Sequence, residues 1–318
     1  MRVTAALCLT LVFAASLSGQ TAPPPPSSPA GSYLYYYATP RTKLDDEVHS
    51  VPAADQARFD HLKALFSIKG CSGDQMKIQP LGKQPGNPDN LICTLPGNSP
   101  ATVVVLAEYQ HQGRGQSAVE NWSGAVLLPS LYFAMQARPR ENTWVFVESG
   151  GKSGGSAYFH SLTRRQKKQI RVMVALDSLG LSPTLRFYSM TDNMFLQEAT
   201  AHLQMALAVA VHSDRSVPPP QALDPSPWLG TEDTQPFRYG NVPCILLDSV
   251  TEQKAGLPGS ARDTASAIDS DAYFMNYRAI AVFLVALDQL AAKLPTDDRI
   301  WHGENGQFHL DLNDLPHH

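Results

Sequence analysis

The sequence predicts an α/β fold, a mainly parallel sheet carrying helices on both faces, and three observations predict it. Residues 101–105 are an apolar run with three consecutive valines, which suits a strand buried on both faces of a parallel sheet. Further short apolar runs at 143–147, 172–176 and 242–247 are separated by segments able to form helices, and strands alternating with helices make a doubly wound sheet. Residues 273–294 then form a long closing helix.

In chain order, residues 1–20 are a secretory signal: Arg2, an apolar run over 3–17, and the small residues Ser16, Ser18 and Gly19 at the cleavage site. This predicts an exported protein, periplasmic or extracellular. Residues 21–32 are a Pro/Ser-rich tether. One α/β domain is expected over 33–294, followed by an irregular tail over 295–318. Residues 51–68 carry apolar positions near helical spacing and end at Lys69-Gly70, a helix stop; residues 76–95 are a hairpin. Cys71 and Cys93 flank its turn-rich centre and are predicted to form a disulfide, whereas Cys244, inside an apolar run, is predicted to be a buried free thiol. Residues 125–135 have the length and composition of a buried helix. Residues 214–236, with six prolines, are a long surface loop.

The formal charge of −4, with signs interspersed, predicts no nucleic-acid partner. After the signal no apolar run reaches the roughly 20 residues that a bilayer requires, so no membrane partner is expected once it is removed. A peptide or protein ligand remains.

In open α/β sheets reactive groups gather at the carboxyl ends of strands. The first central strand ends at Glu108-Tyr109-Gln110-His111, and Glu120-Asn121-Trp122-Ser123-Gly124 follows a dozen residues later. These motifs resemble the di-zinc aminopeptidase family of metallopeptidases (peptidase family M28, which includes glutaminyl cyclases and non-catalytic members). There a strand runs into Ala-His-Tyr-Asp, and Asp-Asn-Gly-Ser-Gly opens a helix. Later landmarks keep the family's order. Ala175-Leu176-Asp177-Ser178-Leu179-Gly180 is similar to Leu-Asp-x-x-Gly, Glu232-Asp233-Thr234-Gln235-Pro236-Phe237 to Ser-Asp-x-x-Pro-Phe, and Gly259-Ser260-Ala261-Arg262-Asp263-Thr264 to His-Thr-x-x-Asp-Thr. The resemblance implies a three-layer α/β/α sandwich with a mixed, mainly parallel central sheet.

It also implies a changed site. Glu108 stands at the family's first zinc-ligand His, Glu120 at its bridging Asp, and Asp177 is retained. The family's Glu pair falls on Gly150-Gly151 or, one register over, on Glu148 as general base with Ser149 at the ligand position. Gly259 stands at the final His. One zinc site is thereby lost, and the remainder, Glu108, Glu120 and Asp177, is all carboxylate. That set suits one hard divalent cation (Mg, Ca or Mn) rather than two zinc ions.

The residues also carry a competing motif. Gly151-Lys152-Ser153-Gly154-Gly155 fits the G-x-S-x-G nucleophile elbow, with Asp248 and His302 in the order of a hydrolase triad, but no other hydrolase landmark accompanies it. A P-loop ending at the same Lys-Ser needs Gly where Phe146 stands. The expected function is therefore an exported aminopeptidase-like protein, catalytically degenerate, with a peptide- or protein-binding role. The alternatives are an active metal-dependent aminopeptidase with altered ligands and a serine hydrolase using Ser153.

Overall fold

A computed structural model describes residues 36–82, 88–189, 218, 220–223 and 233–291. The signal, the tether, the tail and most of 214–236 lie outside these residues. Within them the chain forms an eight-stranded mixed sheet: β1 (Met76–Gln79), β2 (Asn90–Leu95), β3 (Thr102–Glu108), β4 (Thr143–Ser149), β5 (Ile170–Leu176), β6 (Arg186–Ser189), β7 (Gln221–Leu223) and β8 (Cys244–Asp248). The spatial order is β1-β2-β4-β3-β5-β8-β6-β7. The central four, β4-β3-β5-β8, are mutually parallel, with antiparallel pairing at β1–β2, β2–β4 and β6–β8. The short β7 falls inside the stretch predicted to be loop; its three residues carry too little pattern to separate it from the surrounding prolines.

Alternation along the strands divides the core into two layers. Val103, Val105, Ala107, Trp144, Phe146, Val172 and Val174 face one layer with residues of the helices Asp55–Ile68, Leu128–Ala134 and Ser270–Ala291. Val104, Leu106, Val145, Val147 and Met173 face the other with Tyr158, Phe159 and Phe237, from the helices Gly154–Ser161 and Gln235–Tyr239. The result is the three-layer α/β/α sandwich. Ser270–Ala291 is the described part of the closing helix, and its apolar face is buried in the core rather than against lipid. Inside the core Asp288 accepts hydrogen bonds from Trp144 Nε1 (2.8 Å) and the Asn142 amide (3.1 Å).

Two helical elements also differ from expectation. Arg41–His49 is a helix that periodicity does not reveal, because only Leu44 and Val48 are buried on it. The buried helix expected over 125–135 is instead broken into Ser123–Ala125 and Leu128–Ala134, with Pro129 in the first turn of the second piece. The hairpin and the disulfide appear as read: β1 and β2 pair antiparallel, and Cys71 and Cys93 are bonded with their Cα atoms 6.1 Å apart. Cys244 is buried and lies outside that bond, its Sγ donating to Val242 O (3.3 Å).

Candidate functional site

The carboxyl ends of β3, β5 and β8 bring Glu108, Asp177 and Asp248 to one edge of the sheet. Glu120 reaches the same edge from the loop after β3. That loop is bolted down from two sides. The buried Arg58, on the helix Asp55–Ile68, donates to Tyr109 O (3.0 Å), Ser117 O (3.5 Å), Gln116 O and Pro52 O (2.9 Å), and Asp55 Oδ1 accepts the His111 amide (2.7 Å). From the other side the buried Asp263 accepts the amides of Val119 (2.7 Å), Glu120 (3.1 Å) and Gly259 (2.9 Å). Between them the backbone turns sharply, with Ser117 at φ 46° and Asn121 at φ 73°. Such angles are uncommon outside glycine, and the Asn121 side chain helps hold its turn by donating to Gln110 O (2.8 Å).

The electrostatics of this edge are those of acids confined together. Burial first, then the charges of Asp233 and Asp177, push Glu108 up to about 9, against a hydrogen bond donated by Gln112. Burial, then Asp177 and Asp263, push Glu120 up to about 7, with Lys152 opposing. Asp177 rises to about 6 through burial and Asp248, opposed by hydrogen bonds from Ser178 and the Asn121 amide. The charge of the exposed Lys152 is felt by Glu120, and Arg262 is exposed. His111 is a structural residue, its Nε2 2.9 Å from Gly115 O.

Glu148 is elsewhere. Across the β3–β4 ladder Glu108 pairs with Ser149, and Ala107 with Glu148, so Glu108 and Glu148 point to opposite faces of the sheet. Glu148 is fully buried on the face that takes Trp144 and Phe146; neither carboxylate oxygen has a hydrogen-bond partner among the described residues. Burial holds its carboxyl well above the usual range. Its native state therefore keeps a proton that the unfolded chain has lost, and its contribution to stability falls as pH rises above the unfolded carboxylate range. Glu148→Met should raise stability by about 1–3 kcal/mol at neutral pH, the cost of an unsatisfied buried polar group. The gain should shrink below pH ~4. Urea unfolding of both proteins across pH measures this; a variant less stable at pH 8 would refute the assignment.

No carboxylate from the end of β4 joins the acids in either family register. Ser149 Oγ donates to Gly151 O (2.8 Å), and a Cβ on Gly151, at φ +139°, would lie 2.4 Å from Gln110 Oε1. Gly259 is the sharper case. At φ +68°, a Cβ on it would lie 2.5 Å from Glu120 Oε2, closer than any real Cβ sits to a neighbour. The carboxylate of Glu120 thus fills the space into which a side chain at 259 would start. This contact also places Glu120 and Gly259, 139 residues apart, at one point, as the order of landmarks requires.

A match to peptidase family M28 spans residues 90–284. The chain belongs to peptidase family M28. No curated protein matches the sequence. Among solved structures it is similar to the glutaminyl cyclase of Macrostomum lignano, at 16% identity and a TM-score of 0.64, covering 80% of this chain and 89% of that one. The glutaminyl cyclase of Porphyromonas gingivalis is similar at 14% identity and 0.59, covering 78% and 96%. A leucine aminopeptidase precursor from Bacteroides thetaiotaomicron VPI-5482 is similar at 11% identity and 0.58, covering 77% and 95%. At these identities the likeness is one of fold.

Where the resemblance places zinc ligands, the described residues are Glu108, Glu120 and Asp177, with glycine or serine at the remaining positions. Among the described residues no group of three or more His, Cys, Asp or Glu side chains stands close enough to hold a metal ion. The hydrolase elbow fares no better as geometry. Ser153 is exposed at the start of the helix Gly154–Ser161, and Asp248 is buried in a bidentate ion pair with Arg186 (2.7 and 3.1 Å). His302 lies outside the described residues.

Sequence reasoning missed two acids of the site. Asp233 accepts the Gly155 amide (2.7 Å) and raises Glu108; Asp263 ties the two loops together. Both were visible as landmarks of the family's order, and only their roles were hidden.

Proposed function

We propose that this is an exported M28 protein that keeps the shape of a peptide-binding site without di-zinc hydrolysis. The observation that carries the reading is Gly259, where the resemblance puts a histidine ligand: there is neither a side chain nor room for one while Glu120 holds its present position. Glutaminyl cyclases and an aminopeptidase among the similar structures support a ligand that is a peptide or a protein. The buried disulfide suits an oxidising compartment and supports export. Without a metal, the acids can share protons and the charge of Lys152, but these supply no hydroxide at neutral pH.

A second reading is favoured by the charge coupling among Glu108, Glu120 and Asp177. Asp177 raises both glutamates and Glu120 raises Glu108, and one hard divalent cation (Mg, Ca or Mn) that drew the three together would relieve them. In that case the enzyme would be an active one with altered ligands.

The two readings separate in one experiment. The purified chain is dialysed against zinc and against manganese, analysed for bound metal, and assayed with aminoacyl-nitroanilide and N-terminal glutaminyl peptides. The expected result is fewer than two zinc ions per chain and no chelator-sensitive turnover. Stoichiometric manganese with turnover would establish the second reading; two tightly held zinc ions with release of N-terminal amino acids would overturn both.

A further inference from the structure

The chain's charge is not spread evenly. From Ser149 to Leu176 there are 28 residues without one Asp or Glu, and they carry Lys152, Arg164, Arg165, Lys167, Lys168 and Arg171, six of the chain's 25 cations. Four of these fall in the helix Arg164–Gln169, which has no apolar residue and therefore no face to bury. It is held by a capping box at Thr163 and Gln166 rather than by packing. Arg164, Arg165 and Lys168 are exposed, and none of the four cations makes an ion pair with a described acid. The whole-chain balance of −4, which argues against an anionic partner, averages this asymmetry away.

The position of the helix matters as much as its charge. It leads directly into the first residue of β5, whose far end carries Asp177, so the cations and the acidic site sit at opposite ends of a seven-residue strand, on the order of 20 Å apart. The helix Gln235–Tyr239 starts two residues after the site acid Asp233 and runs toward this end, its last residue shortly preceding β8, which runs parallel to β5. The two are joined through Phe159: Lys167 Nζ stands 4.8 Å from the centre of its ring, and the same ring backs Gly240. Next to Gly240, Tyr239 stands 72% exposed and lines a cleft of ≈ 240 Å³ with Phe159 and the exposed His160. An exposed tyrosine beside a cluster of arginines and lysines has the chemistry of the headgroup layer of a bilayer, where an amphipathic ring and long cationic side chains are both at home.

We propose that Arg164, Arg165, Lys167, Lys168 and Tyr239 form a docking surface for an anionic lipid bilayer. It holds the protein with the acid-lined edge pointing away from the membrane. A single-stranded nucleic acid would call for a row of exposed rings on which to stack, and among the described residues Tyr239 is the one large exposed ring beside these cations.

Co-sedimentation of the full chain with vesicles tests this. Binding is expected to vesicles of phosphatidylcholine with phosphatidylglycerol, not to phosphatidylcholine alone, and to be lost at about 0.5 M salt, where screening is nearly complete. At roughly fivefold per cation, Arg164→Gln with Arg165→Gln should weaken binding roughly 30-fold, while Arg164→Lys with Arg165→Lys should retain it. Tyr239→Ala should weaken vesicle binding but leave retention on heparin, a polyanion without a bilayer, unchanged. All these side chains are at the surface, and an unchanged melting temperature shows that the variants fold. No binding to anionic vesicles at low salt, equal binding to both lipid mixtures, unchanged binding by the glutamine variant, or binding to a single-stranded oligonucleotide in place of vesicles would each overturn the proposal.

Discussion

Asp263→Ala should cost about 3–5 kcal/mol of folding stability, the lower part of the sum when three buried amides each lose an acceptor at about 1–3 kcal/mol. Its carboxylate accepts three backbone amides that come from two loops far apart in sequence, Val119 and Glu120 on one and Gly259 on the other. Without it all three amides lose a partner in a site where the carboxylate itself is fully buried. A stability loss alone would not show that Asp263 organises the acidic edge. A second readout does: Asp263 is one of the charges that raise Glu120 to about 7, so its removal should lower that titration, as followed by carbon-detected NMR. A variant that loses less than ~1 kcal/mol, the scale of an ordinary hydrogen bond, would show that the loops are held by other contacts.

Opening the Cys71–Cys93 bond should cost about 3 kcal/mol, because a closure spanning 22 residues removes that much entropy from the unfolded chain. For a protein of this size that corresponds to a fall of roughly 5 °C in melting temperature. Cys71→Ala with Cys93→Ala should melt lower by this amount. Because both cysteines are buried, wild-type protein should match it only when reductant is present during unfolding. Melting curves that coincide with the wild type, or mass mapping that finds both thiols free, would contradict the bond.

How much of this was legible in sequence follows from where each signal resides. Three consecutive valines leading to Glu108, the runs leading to Asp177 and Asp248, and the long apolar closing helix are local patterns, and each became the predicted element. Arg41–His49 was not legible, since a helix anchored by Leu44 and Val48 alone has no stripe to read. The face of Glu148 was legible in principle. Counting by twos from Trp144 through Phe146 puts Glu148 on their side of the sheet, opposite to Glu108 once the two strands are paired in register. What no local pattern contains is the meeting of Glu120 with Gly259 or of Val119 with Asp263. Those contacts are set by the packing of loops more than a hundred residues apart, and only the order of family landmarks hinted at them.

The hairpin offers a last consequence. Strand β1 lies at one rim of the sheet, and rims are where chains of different molecules can add to one another. Here β1 sits between Cys71 and Cys93 in the sequence, so the bond closes a covalent ring around it. A strand inside such a ring cannot be lent to a neighbouring copy as a free arm, and the exchange of identical segments by which many proteins dimerise is blocked at this rim for as long as the bond is intact.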